Sequence, residues 1–341
     1  MVISKIYRKI KRRKEDESLF GVSVQKLFET RLGFLVNTKF YNFFYKKVVM
    51  HKINKSTFPV YINIENTNLC NAKCIMCPRE KLSRKFQDME IGLFKKIIDD
   101  ISSNVPIKKI ILNGYGEPLA DKHVMERIRY IKEKTKIPLL FFTNAGLLTE
   151  DVSKELISLG VEEINISFNG HDKESYEKNM GRLDYDKVSE NIRRLAKLKG
   201  EKKPVVYLSC VVLEEFDKKK FVNEWEPYVE GVFFTPVQSW GGGYSGKPSA
   251  KKFGYRQGKW PCRRLWAHLF IGADGKAFLC CNDYNGDYVV GDTNESSLME
   301  IYNSMKLKKI RDLHKDGNFG AVPICENCDA PNKCSTMWWI K

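Results

Sequence analysis

Residues 60–78 read VYINIENTNLCNAKCIMCP, a β-branched apolar run that passes into a loop carrying Cys70, Cys74 and Cys77. A short run rich in Val and Ile predicts a strand. Reactive side chains directly after it predict a loop at the strand's C-terminal end, where parallel sheets gather their binding and catalytic groups. The stretch therefore points to an α/β fold with the cysteines at its mouth.

Five more runs of the same character lie at 109–112, 138–142, 163–168, 205–213 and 231–237. Between them the apolar residues take helical spacing at 92–101, 122–134, 150–159, 185–198 and 218–228. Strands alternating with helices pair in parallel through right-handed crossovers. Six units are too few to close an eight-stranded barrel, so the expected core is a partial (β/α)6 TIM-like barrel.

Three thiolates on one tight loop suit a metal, but a zinc site would need a fourth ligand, and the next histidine, His123, is far along the chain. A four-iron four-sulfur cluster held by three thiolates leaves one iron open to a small molecule. In these residues the chain resembles the radical S-adenosylmethionine (radical SAM) superfamily, whose signature is CxxxCxxC with a hydrophobic residue, here Met76, before the last cysteine. The resemblance implies a [4Fe-4S] cluster on Cys70, Cys74 and Cys77. It also implies S-adenosyl-L-methionine as cofactor, and a 5′-deoxyadenosyl radical that abstracts a substrate hydrogen.

Further motifs follow strand by strand. Residues 113–118, NGYGEP, are similar to the family's cofactor-binding GGEP turn through Gly116, Glu117 and Pro118. Thr143 and Asn144 open a TNAG turn similar to the family's TNG. Residues 166–170, ISFNG, resemble its SxDG pattern through Ser167, with Asn169 in place of the acid. Arg182 matches a basic residue that in the family faces the cofactor carboxylate; a surface arginine is the other reading.

The C-terminal third holds Cys262, Cys280, Cys281, Cys325, Cys328 and Cys334. On spacing alone, a CxxC with two distant cysteines fits zinc or a second cluster. Two apolar runs, 269–271 and 276–279, flank an Asp274-Gly275 turn, and a helical pattern covers 298–310 with Ser296 or Ser297 as N-cap. This order resembles the SPASM/twitch extension of radical SAM enzymes, and the ligand spacing is similar to that of a butirosin-pathway cyclitol dehydrogenase. The resemblance implies one auxiliary [4Fe-4S] cluster on Cys262, Cys280, Cys325 and Cys328. Cys281, facing away from Cys280 on a strand, is a candidate hydrogen-atom donor of the kind found in related epimerases, or a space filler. Cys210 reads as a buried small hydrophobe.

Composition sets the frame. At 341 residues, with 43% hydrophobic and 12% aromatic residues, the chain is long and apolar enough for a large domain and a smaller one. The expected division is 1–57, a basic amphipathic extension; 58–250, the barrel; and 251–341, the auxiliary module. Fourteen Lys or Arg against four acids place +10 of the +16 net charge within residues 1–58. Ile3, Ile6, Tyr7 and Ile10 form an apolar stripe there, read either as docking to an anionic membrane or as a solvated helix packed on the core. No secretory h-region and no long charge-free apolar run is legible, so the expected location is cytoplasmic, with peripheral membrane contact as the alternative.

The function expected is radical oxidation or epimerisation of a hydroxylated substrate, a sugar, cyclitol or glycolipid, with flavodoxin or ferredoxin as reductant. Radical modification of a membrane lipid, a lipid-linked substrate or a peptide is the alternative. A zinc-containing nucleic-acid binder is the non-enzyme reading, although nucleic acid is not the expected partner. His171, Asp283 and Tyr244 are the candidate bases, and 240–244, WGGGY, is expected to face the reaction chamber.

Overall fold

A computed structural model describes residues 57–104, 107–242, 261–262, 264–326 and 328; residues 1–56, Tyr244 and Cys334 lie outside them. The strand predicted from the opening stretch is β1 (Tyr61–Ile64). It sits inside a nine-stranded sheet of order β6-β5-β4-β3-β2-β1-β7-β8-β9. Here β2 is Lys109–Leu112, β3 Leu139–Thr143, β4 Glu163–Ser167, β5 Val205–Val212 and β6 Gly231–Pro236. The C-terminal strands are β7 (His268–Ile271), β8 (Lys276–Phe278) and β9 (Val289–Asp292). Neighbours from β6 through β7 pair in parallel, and β7, β8 and β9 are antiparallel.

The helices are α1 (Ile91–Asn104), α2 (Val124–Lys134), α3 (Glu150–Ser158), α4 (Lys173–Met180), α5 (Tyr185–Lys199) and α6 (Lys218–Trp225). After the barrel come α7 (Arg264–Ala267), α8 (Leu298–Tyr302), α9 (Met305–Lys315) and α10 (Pro323–Glu326). Helix α1 shows why the pattern was readable: Phe94, Ile97, Ile98 and Ile101 recur at i, i+3, i+4, i+7 and all are buried. They join Ile62, Ile64, Ile110 and Leu112 in the main core. Among the described residues no helix is long and apolar enough to cross a membrane.

Three features differ from the expectation. Helix α4 was not legible because its sequence, KESYEKNM, is polar; a capping box between Asp172 and Ser175 starts it. The pattern at 298–310 is two helices, because Ser304 begins a second one by accepting the N–H of Leu307. The C-terminal hairpin extends the barrel sheet. An open barrel leaves the first strand's edge unpaired, and β7 fills it in register from Tyr61↔His268 to Ile64↔Ile271.

Strands β4 and β5 alternate buried and half-exposed residues. One face is buried in the core while the other carries the half-exposed residues. Lys109 and Glu163, paired at 2.7 Å, lie at the N-terminal ends of β2 and β4 on that half-exposed face. Above them, Asn63 donates to Asn113 Oδ1 (2.8 Å), His268 Nδ1 lies 2.8 Å from Asn63 Oδ1, and Asn165, Ser167, Tyr207 and Ser209 line the β4 and β5 side. Tyr207 packs against the Phe233 ring.

Candidate active site

Cys70, Cys74 and Cys77 lie on the loop that leaves β1. The ends of other elements hold that loop: Glu117 N donates to Leu69 O (2.8 Å), Ile75 N to Asn179 O (3.0 Å) and Lys73 N to Gly181 O (3.0 Å). Two glycines are dictated by this approach. A Cβ at Gly116 would stand 2.3 Å from Thr67 O, and one at Gly181, whose φ is 49°, would stand 2.4 Å from Lys73 O. Cys74 Sγ is 3.7 Å from Met180 Sδ. Burial, then the neighbouring Cys77 and Cys70, push the Cys74 thiol well above its ordinary range, and burial lifts Cys77 to about 11. A buried, mutually repelling thiol set of this kind is relieved by a cation.

Glu117 is buried and ties three strand ends together. Thr143 Oγ1 (2.6 Å) and Leu119 N (3.2 Å) donate to its Oε1, and Asn144 N (2.7 Å) to its Oε2. Asn144 Nδ2 bonds Asn71 Oδ1 (2.8 Å) inside the cysteine loop. Pro118 opens a short 3-10 turn that Glu117 caps. Burial outweighs the three donors and raises the carboxyl to about 7 from 4.5. A raised value favours the protonated form, so its contribution to stability is full below pH 4.5 and is lost as pH rises through 7. In metal-free protein, Glu117→Gln should gain on the wild type by roughly 3 kcal/mol between pH 4.5 and 8 in denaturant unfolding. A difference that stays flat with pH would show that this carboxyl does not titrate there.

Asn169 has its own reason to be an amide. Its Oδ1 accepts Val211 N (2.8 Å) and its Nδ2 donates to Met180 Sδ (3.1 Å), with Met76 Sδ at 4.0 Å. A carboxylate would offer no donor to those sulfurs. Ser167 is half-exposed at the end of β4. Arg182 is exposed, with φ 65°, and its charge lowers the Glu80 pKa, behind Lys73 and Arg79. Thus Met76, Gly116, Glu117, Pro118, Thr143, Asn144, Ser167 and Asn169 share one end of the sheet with the three cysteines.

The second cysteine set converges on a small pocket lined by Cys262, Cys280, Cys325 and Cys328 with Arg264 and Asn282. Arg264 Nη1 donates to Asn282 Oδ1 (3.0 Å), while Asn282 donates to Cys328 Sγ from its side chain and to Cys280 Sγ from its backbone, both at 3.4 Å. His314, held neutral by burial at about 4, accepts the Cys262 N–H (3.2 Å). Four thiols around one guanidinium fit an anionic cluster. Among the described residues no three His, Cys, Asp or Glu side chains converge closely enough for a single metal ion. A cluster of several irons spreads its thiolates more widely than one ion does.

Cys280 and Cys281 lie in a bend and turn after β8 and not on the strand, since Asp283 N closes back on Cys280 O (3.1 Å). Asp283 spends its carboxylate on Asp287 N and Tyr288 N, and His171 stacks on Phe216 with Nδ1 3.3 Å from Ser175 Oγ. Cys210 is buried in the main core.

Sequence reasoning missed the residues that join the two sets. Glu65, directly after β1, pairs with Nη1 and Nη2 of Arg84 (2.7 and 2.9 Å) and accepts the N–H groups of Tyr115 (2.9 Å) and Ala273 (3.2 Å). Arg84 Nε donates to Tyr284 O (2.7 Å). An acid ending an apolar strand is the one signal that could have found this bolt.

A parallel partial barrel with a three-cysteine loop at its C-terminal mouth, continued by a four-cysteine module, defines a class of iron-sulfur enzyme. Residues 64–223 match the radical SAM superfamily, and residues 262–329 match SPASM, an iron-sulfur cluster-binding domain. The chain therefore carries a radical SAM domain and, after it, an iron-sulfur cluster-binding SPASM domain, and the cofactors these domains imply are S-adenosylmethionine and iron-sulfur clusters. Over 158 residues it is 32% identical to the tungsten-containing aldehyde ferredoxin oxidoreductase cofactor-modifying protein of Pyrococcus furiosus, covering 46% of this chain and 44% of that protein, less than half its length. The S-adenosyl-L-methionine-dependent 2-deoxy-scyllo-inosamine dehydrogenase of Niallia circulans is 24% identical over 79% of this chain and 92% of its own. The crystal structure of BtrN in complex with AdoMet and 2-DOIA superposes with a TM-score of 0.58 at 18% identity, covering 80% of this chain and 93% of that one.

Proposed function

We propose that the protein oxidises a secondary alcohol of a small hydroxylated substrate, of the sugar or cyclitol class, to a ketone. Cys70, Cys74 and Cys77 hold the cofactor-binding cluster, and Cys262, Cys280, Cys325 and Cys328 hold the auxiliary one. Met76, Gly116, Glu117, Pro118, Thr143, Asn144, Ser167, Asn169 and Arg182 form the S-adenosylmethionine site. When bound, cofactor and first cluster supply the 5′-deoxyadenosyl radical for hydrogen abstraction. The chain's own residues bind and orient the substrate beneath the cysteine mouth and carry its electron away.

The observation that carries this reading is the sheet's polar face. Half-exposed Asn113, Asn165, Ser167, Tyr207 and Ser209 offer neutral amide and hydroxyl groups, both donors and acceptors, as a polyol requires. The charges of Lys109 and Glu163 are already paired. A full dehydrogenase-length relative supports the same substrate class. If Cys281 returned a hydrogen, the same site would epimerise, and product analysis tells ketone from epimer.

The test is anaerobic reduction of reconstituted protein with S-adenosylmethionine and a panel of cyclitols and sugars. One of them is expected to stimulate 5′-deoxyadenosine release severalfold and to yield a carbonyl product. Stimulation by peptides or lipid extract alone would overturn the assignment.

A further inference from the structure

An unbroken line of contacts joins the two cysteine sets. On one side Trp240 Nε1 donates to Met76 O (2.9 Å), the carbonyl bonded directly to the Cys77 nitrogen. The Trp240 ring meets the Tyr115 ring edge-on, with centroids 5.9 Å apart at 63°. On the other side the Tyr115 hydroxyl donates to the carbonyl of Cys281, one residue beyond Cys280. Tyr115, Phe270 and Phe278 form a small aromatic cluster separate from the main core, and Cys77, Trp240 and Cys281 pack on it. Tyr115 stands where the GGEP motif that this chain resembles has its first glycine, so the link is a feature of this sequence.

Fixed hydrogen bonds and ring contact are a shorter electronic path than open space across a substrate chamber. We propose that Tyr115 and Trp240 are the coupling route by which an electron passes between the two clusters, a proposal that rests on the cluster assignments made above. One electron leaves the auxiliary cluster, which is oxidised by one, and reduces the cofactor-binding cluster by one. No proton moves, because the carbonyl that accepts the Tyr115 hydroxyl takes none, and both rings stay closed-shell. The electron balance fits alcohol oxidation. The substrate loses a hydrogen atom from carbon to the cofactor radical, then one electron to the auxiliary cluster and its hydroxyl proton to solvent. Returning that electron restores the one used to cleave the cofactor, so external reductant serves only to start the cycle.

The test compares wild type with Trp240→Leu, Trp240→Phe and Tyr115→Phe, each with both clusters assembled. Flash photoreduction followed by freeze-quench electron paramagnetic resonance reads electron exchange between the clusters. Exchange is expected to slow at least tenfold in Trp240→Leu and severalfold in Tyr115→Phe, with iron content, cluster spectra and midpoint potentials unchanged. Trp240→Phe, which keeps a ring but loses the N–H, should fall between wild type and Trp240→Leu, and it serves if the leucine variant loses a cluster. Equal exchange rates in variants with both clusters intact overturn the route alone. A wild-type protein that assembles only one cluster overturns the cluster assignments and the route with them.

Discussion

Replacing Cys74 with alanine is expected to halve the iron of the reconstituted protein, from about eight to about four per chain, and to abolish 5′-deoxyadenosine release. The loop gives this cysteine no substitute. Its neighbours within reach are the thioether of Met180 and the other two thiols, and Ile75 and Lys73 are pinned by backbone bonds to Asn179 and Gly181. The pinning also means that the apo fold should survive the change. Circular dichroism of the variant should match the wild type, and the cluster absorption that remains belongs to the Cys262 set. Nucleoside release at the wild-type rate would remove the cysteine loop from the chemistry.

The largest effect on stability is expected at Glu65. Its carboxylate is fully buried, Arg84 is nearly so, and the pair also fixes Tyr115 and Ala273. Removing one partner of such a pair strands a buried charge and costs about 3–5 kcal/mol, whereas replacing both with apolar groups of similar volume is often neutral. Glu65→Leu should therefore lower the denaturant midpoint strongly, and Glu65→Leu combined with Arg84→Met should recover most of the loss. If the double variant is as unstable as the single one, the pair stabilises the fold outright and does more than fix the geometry between the loop after β1 and the C-terminal module.

Most of the barrel was legible because its strands and helices obey local rules. The run 109–112 is β2 residue for residue, and Phe94, Ile97, Ile98 and Ile101 bury the stripe their spacing announces. The cysteine spacing and the Gly116-Glu117-Pro118 turn were likewise local, since one loop or one turn carries each. Asn169 could be flagged as a departure but not explained, because its partners Val211 and Met180 come from other segments. Tyr115 carries no signal of its own within the NGYGEP turn; only its contacts with Trp240 and Cys281, far along the chain, give it a role.

The sequence by itself determined the kind of chemistry and the parallel architecture, because periodicity, turn residues and ligand spacing are properties of neighbours along the chain. The tertiary structure decided how the two cysteine sets stand to one another. It joined the C-terminal hairpin to the free edge of β1, placed Arg264 and Asn282 among four thiols and drew Glu65, Arg84, Tyr115 and Trp240 into the space between the sets. These choices depend on which unpaired edges and buried charges meet in space, and no local pattern records that.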